Sequence, residues 1–69
     1  MKVYVNGQPR DIAIDYCVLD LLRELQLEGG QVAVEINRRI IARSDWRGTA
    51  LKEGARIEVV HFVGGGSEP

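Results

Sequence analysis

Three consecutive glycines near the C-terminus, Gly64, Gly65 and Gly66, are the residues whose type and spacing best fit a chemical role. Glycine carries an entropy cost in folded segments, so this run indicates a flexible tail over residues 64–69. Without side chains the tail would fit a channel too narrow for a Cβ, and residues 63–66 would reach about 13 Å when extended. A terminal Gly66 would then carry its carboxylate into another protein's active site. A frayed end or an engineered linker is the equally open alternative.

Other side chains that could do chemistry are few, because the chain has one histidine and one cysteine. His61 falls in the last predicted strand and Cys17 just before the predicted helix, so no catalytic triad is expected. We predict a structural or surface role for His61 and a small, buried side chain for Cys17, although a helix N-terminus can activate a thiol. Neither a metal site nor a resident cofactor is expected, and the composition predicts a protein that is not an enzyme.

Composition narrows the class of partner. The 69 residues predict one domain, and 45% hydrophobic residues suffice for a thin core. Nine basic and ten acidic residues give a net charge of −1, which does not favour nucleic acid or an anionic membrane. A single cysteine fits a reducing compartment, and no apolar run is long enough for a bilayer, so the expected location is cytoplasmic. A basic cluster is interpreted as a solvated face or a docking rim, and it comprises Arg38, Arg39, Arg43 and Arg47.

The elements that would position the tail begin with a hairpin and a helix. Alternation predicts strands at residues 2–5 and 10–14 around an Asn-Gly turn, with Ile12 and Ile14 on one face and Gln8-Pro9 lengthening the turn. A stripe of apolar residues then predicts a helix over residues 18–27, ended by the glycines at 29 and 30. That stripe consists of Val18, Leu21, Leu22 and Leu25.

The second half predicts further strands. They lie at residues 32–37, 40–41, 49–52 and 56–62. The strand at 49–52 would be a short edge strand. The strand at 56–62 is apolar on both faces in part, which predicts a central position in the sheet. One helical turn at 44–47 would begin at Ser44 and place Trp46 as a lid on the core. The helix would link the second strand to a parallel neighbour. The predicted class is α+β, with a mixed four- to five-stranded sheet and one helix packed across it, over residues 1–63.

Several segments in this order resemble a known family. The matching segments are VNGQPR (residues 5–10), LDLL (19–22), VAVEIN (32–37), IIARSDW (40–46) and IEVVHFVGGG (57–66). Over residues 1–66 the chain resembles the ThiS family, the small bacterial sulfur carriers of thiamine biosynthesis. The resemblance implies the ubiquitin-like β-grasp fold that this family shares.

The resemblance also implies a chemistry. An adenylating enzyme of the ThiF class would activate the carboxylate of Gly66 with ATP, since a free carboxylate is a poor acyl donor. Sulfur would then replace AMP to give a thiocarboxylate, from which thiazole synthase (ThiG) takes sulfur for the thiazole ring. Gly64 and Gly65 would thread the tail into these enzymes. The carrier itself needs no catalytic side chains.

One feature departs from the family, whose members commonly end at the last glycine. Here Ser67, Glu68 and Pro69 follow, so Gly66 has a peptide carbonyl in place of a carboxylate. We expect a peptidase to remove these three residues; an added tail is the alternative. Partner docking is expected at Phe62 and Val60, on the sheet face away from the helix.

Two other functions stay open. Within the same fold, the chain could be the small subunit of molybdopterin synthase, or a carrier serving cysteine or another sulfur metabolite. From a different class, it could be a non-catalytic β-grasp interaction module whose glycines are a frayed tail.

Overall fold

The computed structural model describes residues 1–62, in which five strands form one sheet with a single α-helix across it. This confirms the predicted mixed sheet and its helix. In chain order the elements are β1 (Lys2–Val5), β2 (Gln8–Asp11), α1 (Val18–Glu24), β3 (Val32–Ile36), β4 (Arg39–Ile41) and β5 (Arg56–His61). The spatial order of the strands is β2-β1-β5-β3-β4.

The last strand, β5, lies at the centre of the sheet, as predicted. It runs parallel to β1 and antiparallel to β3. The central position was predicted from burial of both faces of the strand, and that reason was wrong. Only one face of β5 is buried: Ile57 and Val59 point into the core, whereas Val60 is 52% exposed. The predicted parallel neighbour for β2 was also wrong. The chain leaves β2 through the helix and enters β3, but β1 and β5 lie between these two strands.

The turn of the first hairpin consists of only two residues. Asn6 and Gly7 both have positive φ, 50° and 83°, as a two-residue hairpin turn requires. β2 therefore starts at Gln8, and the prediction of a strand over 10–14 was wrong. Pairing with the four residues of β1 ends at Asp11, so the chain has left the sheet at Ile14, which is 74% exposed rather than part of the core.

The helix is capped at both ends by local bonds. The backbone N–H of Cys17 donates to the carboxylate of Asp20 at 2.9 Å, and this bond holds the pKa of Asp20 below its usual value. The helix ends at Glu24 rather than near residue 27. Gln26, at φ 62°, takes the left-handed position, and the N–H of Leu27 donates to the carbonyl of Leu22. This is a Schellman motif with glutamine where glycine was expected.

The core lies between the helix and one face of the sheet. Its fully buried side chains come from the helix stripe and from the inward positions of β1, β3 and β5. The largest of them are Leu21, Leu22, Ile57, Val3, Val18 and Val34. Trp46 is 3% exposed, which confirms its predicted place over the core.

The connection between β4 and β5 differs from its prediction. Its helical turn is a 3₁₀ turn, Arg43–Asp45, preceded by Ala42 rather than by Ser44. The expected edge strand at 49–52 is reduced to one bridge, between Ala50 and Cys17. This bridge pairs the connection with the residue before the helix, and its backbone bonds go to Tyr16 and Val18 rather than to a strand of the sheet.

A polar cluster ties the helix to β2. The carboxylate of Glu24 accepts a bond from the Tyr16 hydroxyl at 2.6 Å and an ion pair from Arg10 at 2.7 Å. These bonds hold the pKa of Glu24 below its usual value, the tyrosine bond contributing most, and the same bond raises the pKa of Tyr16. Because all three groups are on the surface, we assign the cluster a positioning role rather than a large stabilising one.

Both hairpin turns hold β5 through an asparagine side chain. The Asn6 amide bonds both backbone groups of Val59, accepting from its N–H at 2.8 Å and donating to its carbonyl at 3.1 Å. At the other end of β5, the side-chain oxygen of Asn37 accepts from the N–H of Arg56 at 3.1 Å. Since β1 stops at Val5, the Asn6 amide stands in for the strand residue that would otherwise pair with Val59.

Truncating the helix stripe should destabilise the fold strongly. Leu21 is fully buried, so we expect Leu21→Ala to lower the free energy of unfolding by about 2–5 kcal/mol. Ile14→Ala removes a similar volume from an exposed site and should change it by less than about 0.5 kcal/mol. Urea unfolding followed by circular dichroism measures both. Equal losses for the two variants would contradict the described core.

Removing the Asn6 amide should loosen β5 locally. Asn6→Gly keeps the positive φ but deletes both bonds to Val59, so amide exchange at Val59 should speed up about threefold to tenfold. Asn37→Gly is the matched control and should speed exchange at Arg56 instead. Hydrogen exchange by NMR separates the two sites. A uniform change over all of β5, or none at Val59, would refute this role of Asn6.

Candidate functional site

The candidate site is the C-terminal end of β5, from which the glycine run departs. The strand ends at His61, and the N–H of Phe62 makes one further bond, to the carbonyl of Gln31 at 2.8 Å. Gly64, Gly65 and Gly66 lie outside the described residues, as do the three residues after them. The structure thus describes the chain up to the base of the tail at Phe62. The end of the domain at residue 63 and the flexible tail over residues 64–69 stay predictions.

The sheet face opposite the helix is apolar near this base. Val60 and Phe62 are 52% and 54% exposed. Val60 points away from the core because its neighbours Ile57 and Val59 supply the buried positions of the strand, and Phe62 continues the same alternation. The predicted exposure of both side chains is confirmed. Their use as a docking surface remains a prediction.

His61 has a packing role, as predicted. A Cβ on Gly30 would lie 3.0 Å from Nε2 of His61, so the missing side chain of Gly30 leaves room for the imidazole ring. The ring therefore rests on the loop between the helix and β3, with Val32 as its partner residue across the sheet. This contact holds the end of β5 from the side opposite Val60.

Cys17 and His61 belong to different parts of the molecule. Cys17 is half-buried at the start of the helix and bridges to Ala50, whereas His61 pairs with Val32. Within residues 1–62, no three His, Cys, Asp or Glu side chains are grouped in a way that could hold a metal ion. The described part of the chain brings no nucleophile and base together.

One member of the predicted basic cluster has a structural role that the sequence did not suggest. Nη2 of Arg43 donates to the carbonyl of Gly30 at 2.8 Å, and its guanidinium lies over the Trp46 ring, 4.6 Å from the centroid. Arg43 thereby ties the 3₁₀ turn to the loop on which His61 rests. The Arg43 contact goes to a backbone carbonyl of an irregular loop, which carries no sequence signal. The Asn6 contacts go to a strand residue 53 positions away, so they were not predictable from local pattern either.

None of the helices in the described portion combines the length and the apolar character needed to cross a bilayer.

Comparisons with known proteins place the chain in a family. The sequence model of the ThiS family matches residues 3–66. A sulfur carrier protein ThiS from Bacillus subtilis is 45% identical over 49 residues, which cover 71% of this chain and 74% of that protein. A thiazole synthase from Paramagnetospirillum magneticum is 38% identical over 68 residues, 99% of this chain but 21% of the synthase. The chain thus spans about a fifth of the length of such a synthase.

Solved structures agree with the sequence comparisons. A crystal structure of the thiamine biosynthesis protein ThiS from Geobacter metallireducens is 33% identical and superposes with a TM-score of 0.80, covering 96% of this chain and 100% of that one. This confirms the predicted β-grasp fold. The family match over nearly the whole length, the close structural similarity and the glycine run at the end of the matched region together show that this chain belongs to the ThiS family.

Proposed function

We propose that this chain is a sulfur carrier of thiamine biosynthesis whose reactive group is the carboxylate of Gly66. The observation that carries the proposal is the position of β5. The central strand of the sheet ends at His61, and in the sequence the three glycines begin two residues after Phe62. The family match extends to Gly66 and ends there. Proteins of this family are small carriers rather than catalysts, in keeping with the side chains described above.

The chemistry follows from the weakness of a carboxylate as an acyl donor. An adenylating enzyme of the ThiF class would join the Gly66 carboxylate to AMP, releasing pyrophosphate from ATP. A sulfur nucleophile then displaces AMP and leaves a thiocarboxylate on the glycine. The enzyme supplies every catalytic group, and the carrier supplies reach, a backbone without side chains at Gly64 and Gly65, and a body to hold.

The proposed acceptor is a thiazole synthase (ThiG). Two of the relatives are themselves named thiazole synthase, and nearly all of this chain aligns with about a fifth of each. Their sequences therefore join a segment similar to this chain to a much longer remainder. We propose that the carrier acts in the cytoplasm, where its single cysteine fits a reducing compartment.

The proposal requires a free carboxylate on Gly66. Ser67, Glu68 and Pro69 follow it in the sequence, so we propose that a peptidase removes them before activation. Intact mass of the protein from cells that form thiazole through it tests this step. A working species that still carries these three residues would exclude it.

Thiocarboxylate formation tests the carrier function directly. The chain ending at Gly66, incubated with ATP, a ThiF-class enzyme and a sulfur donor, should gain about 16 Da, the difference between a sulfur and an oxygen atom. The chain ending at Pro69 is the matched control and should keep its mass, because its Gly66 has no carboxylate. If the shorter chain stays unmodified, the protein is an interaction module of the same fold and the proposal fails.

Docking is tested at the outer face of β5. Phe62→Ser removes a half-exposed apolar side chain at the base of the tail, so it should raise the KM for adenylation about threefold to thirtyfold and leave the urea midpoint nearly unchanged. Ile14→Ser is the control, since Ile14 is equally apolar and exposed in a different region. Unaltered adenylation of the Phe62 variant would remove this residue from the docking surface.

A further inference from the structure

The edge strand β4 presents free backbone groups to solvent. Gln31 and Asn37 flank β3, and the carbonyl of Gln31 and the N–H of Asn37 both bond toward β5. The backbone groups of odd-numbered residues in β3 therefore face β5, and those of even-numbered residues face β4. Arg39 and Ile41 pair with those even positions. The N–H and carbonyl of Ile40 therefore point away from the sheet, and nothing within residues 1–62 bonds to them.

The two edges of the sheet differ in this respect. At the other edge, Pro9 stands opposite Tyr4 in the position that corresponds to Ile40, and proline has no N–H to offer. A proline at an edge is a common protection against the addition of a further strand. At β4 the side chain of Ile40 is 78% exposed and no such protection is present. At this outward-facing position β4 offers both an N–H and a carbonyl to an added strand, whereas Pro9 of β2 offers a carbonyl alone.

A cavity lies beside β4 on the helix side of the sheet. Its volume is about 240 Å³, and its apolar wall includes Ile36, Ile41 and Ala55. Arg39 and Lys52 also line it, and both side chains are exposed. Alternate side chains of a strand added to β4 would point toward this cavity, which is large enough for one branched apolar side chain.

The charge around this edge selects the kind of strand. Two basic side chains, Arg39 and Lys52, line the cavity beside β4, and Arg38 precedes the strand. Glu35 is the cross-strand partner of Ile40, and its parity places it on the sheet face opposite this cavity. A second copy pairing through β4 would bring Arg38 and Arg39 close to their own counterparts, and like charges across strands are destabilising. An acidic segment would instead meet complementary charge.

We propose that the β4 edge and the adjoining cavity bind an extended acidic segment of a partner protein. The segment adds to the sheet as a sixth strand, bonds the N–H and carbonyl of Ile40, and places one apolar side chain between Ile36 and Ile41. Its carboxylates face Arg39 and Lys52. This surface lies at the sheet edge, away from the tail base at Phe62, and the proposal does not depend on the tail chemistry.

A synthetic peptide tests the proposal. We would titrate the isotopically labelled protein with a peptide of about eight residues that alternates valine with aspartate or glutamate, and follow the backbone amides by NMR. Saturable shifts should concentrate on residues 36–42 and 49–55, and exchange of the Ile40 amide should slow. The same peptide with a central proline should not bind, because it cannot complete the added strand.

Matched variants separate this site from general electrostatic attraction. Arg39→Gln should weaken binding about threefold to fivefold, the scale of one exposed ion pair, and Lys52→Gln should act similarly. Arg23→Gln removes the same charge from the helix surface and should leave the affinity unchanged. Equal losses in the Arg39 and Arg23 variants, or shifts centred on Val60, would overturn the proposal. Protection of the Ile40 amide by dimerisation without peptide would also overturn it, since a second copy would then occupy the edge.

Discussion

The insertion of β5 between β1 and β3 is the constraint on which the rest of this structure depends. The last strand of the chain is bonded on both sides: the N–H of Asn6 donates to the carbonyl of Ile57 and the N–H of Asn37 to that of Arg56, each at 2.8 Å. A central strand cannot leave the sheet without breaking two ladders. The described chain therefore ends on a strand that is hydrogen-bonded on both sides.

This arrangement suits the proposed role, in which partner enzymes bind the C-terminal tail. Asn6 extends the bonding of β5 beyond the last residue of β1, and the contact of His61 with Gly30 supports the same end from the core side. Arg43 in turn fixes the loop that contains Gly30. The end of β5 is thus held by contacts from several neighbouring segments, which opposes fraying of the strand.

The two faces and two edges of the sheet expose different groups. The helix covers one face, and the other exposes Val60 and Phe62 beside the tail base. Pro9 removes an N–H donor from one edge, whereas Ile40 presents both its N–H and its carbonyl at the other. The proposed docking face at Val60 and Phe62 and the proposed strand-addition edge at Ile40 therefore do not overlap.

Local patterns in the sequence determined the helix stripe, the Asn-Gly turn, the place of Trp46 and the glycine run, because these depend on neighbouring residues. The ends of the elements were predicted less well. The helix ends in a local Schellman motif that has Gln26 in the position expected for glycine, and the strand expected at 49–52 is reduced to the bridge at Cys17, which is a tertiary contact. The order of the strands, the bonds from Asn6 to Val59 and the open edge at Ile40 were decided only by the tertiary structure. They join residues far apart in the chain, and such pairings follow from how the whole sheet closes around its core.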